Sequence, residues 1–172
     1  MARSKFILAA LVIATAAGPA AAAPTDADKA TARTLFFSAL EARKAGDHDK
    51  AADLFDRSNR LYPAPTAALG LARSLEATGK WVKATETFHR ILRRTPDDDA
   101  PKAFDLARRA ARKELNELQT RMPKLVIAVE GAAADAVVVT IDGAVVPAAA
   151  LGVERPTDPG PHEVRVLGDG YV

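Results

Sequence analysis

The chain reads as an α+β protein in two parts, helical hairpins followed by a small antiparallel β-sandwich module. Gly46, Ala51, Phe55 and Pro63 recur as Gly79, Ala84, Phe88 and Pro96, each 33 positions further on. That is the spacing of a helical repeat, whose units bury their apolar faces only against one another. After Pro123 the apolar residues alternate with period two instead, as strands do. The charge changes at the same place: seven bases face three acids over 102–124, and from Leu125 onward Arg155 and Arg165 face seven acids.

A leader precedes both parts. Arg3 and Lys5 stand before an apolar run over 6–17, then Gly18, Pro19 and small residues, the pattern of a secretory signal peptide over 1–22. Two Ala-x-Ala sites fit, ending at Ala22 or Ala23. Cleavage after Ala23 would leave Pro24 in first place and be impeded, so the cut is expected after Ala22. The run is shorter than the ~20 apolar residues of a membrane span, and no other segment approaches one, so no transmembrane anchor is expected in the mature chain. Without Arg3 and Lys5 the 24 basic residues become 22, against 22 acidic. A neutral mature chain gives no ground for a nucleic-acid partner. Cysteine is absent, which suits an oxidising compartment and removes disulfides, thiolate metal sites and a lipid-modified cysteine from consideration.

The helical part spans 26–121. Over 29–44, Leu35, Phe36, Ala39 and Leu40 form one apolar stripe, and Gly46 ends that helix. Asp47, His48 and Asp49 open the next, which carries Ala51, Ala52, Leu54, Phe55 and Leu61 before Pro63 and Pro65 bound the connector. The second pair repeats the plan over 66–78 and 81–94, with Gly79 between them, Trp81, Ala84, Phe88, Ile91 and Leu92 facing inward, and Pro96 as the stop. Ala51 and Ala84 hold the small position where two helices cross. Asp97, Asp98 and Asp99 lack the alternating acids, central glycine and distal glutamate of a calcium loop, so they read as a helix start. A fifth helix over 101–121 presents Phe104, Leu106, Ala107, Ala110, Ala111, Leu115 and Leu118 on a broad apolar face, the solvating cap that a repeat stack needs.

The β module spans 124–172. Leu125, Ile127 and Val129 share one side of a strand, and Val137, Val139 and Ile141 follow after a small-residue turn. Asp142-Gly143 is a tight-turn dipeptide, so 144–146 should return antiparallel to the strand before it. Pro159-Gly160-Pro161 makes a further turn ahead of Val164 and Val166.

The alanine, the aromatic four residues later and the proline eight beyond that, as in Ala51, Phe55, Pro63 and Ala84, Phe88, Pro96, resemble tetratricopeptide repeats over roughly 32–98. Ala39 and Ala72 match the small residue of the first helix, and Gly46 and Gly79 the turn glycine. Leu35, Ala68, Ala42 and Leu75 depart from the family's aromatic positions. The resemblance implies a concave groove, lined by the first helices, that receives a protein partner, with Arg33, Arg43, Arg73 and Glu76 as its exposed contact residues. The run Val139-Thr140-Ile141-Asp142-Gly143, then Pro159-Gly160, His162, Val164, Val166 and Gly170-Tyr171, resembles a PEGA domain. The family's naming string is missing, and the chain ends where that family has its last strand, so the module is expected to be incomplete at its C-terminus. The combination resembles envelope proteins of Gram-negative bacteria, which implies passage through the inner membrane to the periplasm or cell surface.

No residue set suggests catalysis. His48, His89 and His162 stand in different elements with no partner at ligand spacing, and hydroxyl nucleophiles have no base at hand, so neither metal nor catalytic residues nor a cofactor are expected. Gly168-x-Gly170 precedes no helix, so a phosphate loop is also out. The basic face of Lys102, Arg108, Arg109, Arg112, Lys113 and Arg121 reads as a solvated helix face, with an anionic partner or docking onto the acidic β module as alternatives. The expected function is a non-enzymatic scaffold or adaptor of the cell envelope that binds a protein. The alternative is a cell-wall glycan-binding module, against which stands a β half whose one aromatic residue is Tyr171.

Overall fold

A computed structural model describes residues 23–95, 99–133 and 135–168. The leader over 1–22, Pro96, Asp97, Asp98 and Gly170-Tyr171 therefore lie outside the described residues. Within them five helices, α1 (Asp26–Lys44), α2 (His48–Leu61), α3 (Pro65–Ala77), α4 (Trp81–Arg93) and α5 (Lys102–Arg121), precede short antiparallel strands. The α+β class read from the sequence is the observed one.

Helix α1 starts at Asp26, three residues before the expected start at Lys29, because Thr25 and Asp28 form a capping box: the Asp28 amide donates to Thr25 Oγ1 at 3.1 Å, and the Thr25 amide to Asp28 Oδ2 at 2.9 Å. The Thr25 hydroxyl, which donates to Asp28 Oδ2 at 2.7 Å, and then the Thr25 amide hold the Asp28 carboxyl below its ordinary pKa. Gly46 and Gly79 turn the chain at φ +83° and +76°. A Cβ at either would meet nothing within 4 Å, so the left-handed backbone alone calls for glycine there.

Successive helices pack as antiparallel hairpins around a continuous core. Ala39, Ala51, Phe55 and Leu71 build one end, and Ala72, Ala84, Phe88, Ile91, Ala111 and Leu118 the other, with Leu75 touching both. Ala51 and Ala84 are fully buried, as expected for the crossing position. The cap helix differs from its expectation at Leu106, which is 64% exposed.

The strands are β1 (Lys124–Leu125), β2 (Val137–Ile141), β3 (Ala144–Val146), β4 (Arg155–Pro156) and β5 (Val164–Gly168). Their sheets are β1-β4 and β3-β2-β5, all pairs antiparallel. The Asp142-Gly143 turn has both residues at positive φ, 50° and 80°, the geometry that joins β2 to β3 tightly. Val139, Ile141 and Val146 form this part's core, with Leu125, Ile127, Val129 and Leu151 packed over them. The strand expected through Val129 pairs only at Lys124–Leu125. Pro156, opposite Lys124, has no amide to give, and further along, the Gly152 amide donates to the Ile127 carbonyl at 2.8 Å. On β5, Val164 and Val166 stand opposite Ile141 and Val139 on the inner face yet remain 43% and 51% exposed.

Candidate protein-binding groove

Helices α1, α3 and α5 lie side by side on one face of the stack, because each hairpin sends its second helix to the other face. Between them runs an open cavity of about 370 Å³ whose lining includes Phe36, Leu40, Leu69, Leu106 and Ala110, with the buried Phe55 and Gly70 under its floor. A second cavity of about 310 Å³ adjoins it through Phe36 and Thr66 and is bounded by Arg33, Tyr62 and Phe104. Phe36 is held in place from beneath, edge-on to the buried Phe55 ring with centroids 5.6 Å apart. Beside it on α1, Phe37 is 58% exposed.

The charged residues lining the two cavities are all basic: Lys29, Arg33, Arg43 and Arg73. Arg43 lays its guanidinium 5.8 Å from the centre of the Phe55 ring. Among the described residues, neither Arg33 nor Arg43 has a carboxylate at ion-pair distance. Arg73 is already engaged. Its fork meets Glu114 of α5, with Nε 2.9 Å from Oε2 and Nη2 2.5 Å from Oε1, and the Glu114 carboxylate pushes the Arg73 pKa further up. Glu76 lines neither cavity. It accepts from Arg121 at 2.6 Å, and the Arg121 guanidinium lies 5.1 Å from the centre of the Trp81 ring.

The four contact residues expected from the sequence thus divide. Arg33, Arg43 and Arg73 border the groove, and Glu76 sits with Arg121 at the junction of α3 and α5. Sequence reasoning missed the α5 wall, Leu106 above all, because a helix read as a cap is expected to turn its apolar residues inward. Arg108, placed with the basic surface, reaches instead to the end of α4: its Nη1 donates to the carbonyls of Ile91, at 2.9 Å, and Arg94. Those carbonyls have no partner within their own helix. Among the described residues no ion pair joins the basic face of α5 to the strands.

His162 is held among Asp142, Thr157 and the Asp158 carbonyl. Among the described residues no group of three or more His, Cys, Asp or Glu could hold a metal ion, and no described helix is long and apolar enough to cross a membrane. Comparison with curated proteins and comparison with solved structures gave no match. A family model described as tetratricopeptide repeat matches residues 42–110, which run from the last turn of α1 to the middle of α5, so that the stretch similar to this family includes much of the groove's lining.

Proposed function

We propose that the chain is a non-enzymatic scaffold or adaptor of the bacterial cell envelope, which holds a segment of a protein partner in the groove between α1, α3 and α5. The open apolar groove with a basic border carries this reading. Phe36, Leu40 and Leu106 offer apolar area that water covers poorly. Beside it, Arg33 and Arg43 have no carboxylate at ion-pair distance among the described residues. The partner segment that suits such a surface presents apolar side chains with carboxylates beside them.

The test is selection from a random peptide library on the purified mature chain. Apolar sequences with Asp or Glu should be enriched. Leu106→Glu together with Arg33→Glu, both at exposed positions, should weaken the selected peptide at least tenfold while helicity and melting stay unchanged, because exposed positions contribute within about ±0.5 kcal/mol. Binding that ignores both changes would remove the groove from the function.

Export is part of the proposal and rests on the charged, apolar and small-residue order of the leader. N-terminal sequencing of exported protein should begin at Ala23. Recovery of chains retaining Met1 in a membrane fraction would make the leader an anchor. The PEGA-like β part would then space or attach the stack at the periplasm or cell surface.

A further inference from the structure

The two helical hairpins are not capped alike. Asp47 opens α2, and its Oδ1 accepts from the Lys50 amide at 3.1 Å. The position 33 residues on is Lys80, which makes no side-chain cap on α4, since an ammonium has only donors. It turns to Asp49 instead, at 2.6 Å. The orphan amides at the start of α4 receive a carboxylate from the β part: the Val82 amide donates to Asp158 Oδ1 at 2.8 Å, across 76 residues of sequence. Among the described residues no ion pair joins α1–α5 to the strands, so this bond is a principal polar tie between the parts.

His162 holds the segment that carries Asp158. Its Nδ1 lies 2.6 Å from Asp142 Oδ2, and its Nε2 lies 2.8 Å from the Asp158 carbonyl and 2.9 Å from Thr157 Oγ1. Asp142 is fixed in turn, its Oδ1 accepting from the Glu163 amide at 2.9 Å. The imidazole is 18% exposed. A carboxylate and a carbonyl both only accept, so the imidazolium, with both ring nitrogens donating, is the form that bonds Asp142 and the Asp158 carbonyl together. A neutral ring that keeps its Nδ1 proton on Asp142 turns its Nε2 lone pair to the Thr157 hydroxyl and gives up the bond to the Asp158 carbonyl.

We propose that Asp158 and His162 form a latch that docks the β part onto the start of α4 and opens when His162 loses its proton. The charges around the ring agree in sign. Asp142 on the β2–β3 turn and Asp158 on the preceding loop favour the cation. Glu163, next in the chain, is occupied by Arg165 at 2.8 Å. On the α4 side the flanking bases are Lys80, held by Asp49, and Lys83. The Asp142 and Asp158 hydrogen bonds raise the His162 pKa above its ordinary value, which is near 6.5. A raised folded-state value means that docking is fully supported below the ordinary pKa and is lost as pH rises through the raised one. The Asp142 carboxyl is lowered by the same ring, so its contribution fades only in strong acid.

The chain has no cysteine, so spin labels can be placed at Arg57→Cys on α2 and Val145→Cys on β3, both exposed positions. Pulsed electron paramagnetic resonance should give one narrow distance distribution at pH 5.5 and a broad one at pH 8.5. Asp158→Ala should be broad at both, and His162→Gln should no longer respond to pH. Hydrogen exchange at the Val82 amide, corrected for its intrinsic rate, should quicken at least tenfold in Asp158→Ala and in the parent at pH 8.5, with the α2 amides unchanged. A parent distribution identical at the two pH values, or Val82 exchange unaffected by Asp158→Ala, overturns the latch.

Discussion

Phe88→Ala is expected to destabilise the chain by about 3–5 kcal/mol, read as a lower denaturant midpoint at unchanged slope. The ring is fully buried in the cluster shared by α3, α4 and α5. Its surroundings leave little to collapse into the space. Ala68, Ala72, Ala84, Ala107 and Ala111 are short, and Leu115 and Leu118 are themselves buried, so most of the cavity should persist. Trp81 is the only tryptophan and packs against the same cluster, which makes its fluorescence the natural probe. Phe37→Ala is the control: the same truncation at a side chain 58% exposed should stay within about ±0.5 kcal/mol. A Phe88→Ala cost below 1 kcal/mol would mean that the second hairpin does not depend on this core.

What was legible in the sequence was local or periodic. The 33-residue offset located both turn glycines, both crossing alanines and both buried phenylalanines, because a repeat imposes the same environment at the same position. Period two and the Asp-Gly turn located β2, β3 and their antiparallel pairing. Contacts between distant segments were not legible. Arg73 meets Glu114, 41 residues away, and Glu76 meets Arg121, 45 away, pairings that no helical period encodes. The same holds for Asp142 and His162, 20 residues apart, although both lie in the string that carries the PEGA resemblance. Leu106 was misplaced for a different reason. Amphipathic spacing identifies an apolar face but not whether a neighbour or a groove lies over it.

Gly70→Val is expected to cost about 3 kcal/mol, the upper end of overpacking. Gly70 lies inside α3, where glycine is worse than alanine by about 1 kcal/mol, and its backbone is not left-handed. Something other than conformation therefore favours it. A Cβ at this position would stand 2.6 Å from Cε1 and Cζ of Phe55, the contact at which α3 crosses the ring. The ring is fully buried with Phe36 against its edge and Arg43 over it, so it yields only by displacing them. Gly70→Ala should cost less, since improved helix propensity offsets part of the clash. Pairing it with Phe55→Leu should recover stability, giving a coupling of about 0.5–3 kcal/mol in a double-mutant cycle. Strict additivity would mean that ring and helix do not press on one another. Because Phe55 and Gly70 both lie under the groove floor, the folded double variant also reports on binding. If a partner segment reaches the groove floor, a peptide selected on the parent should bind that variant more weakly. Equal binding would confine the contact to the border at Leu106 and Arg33.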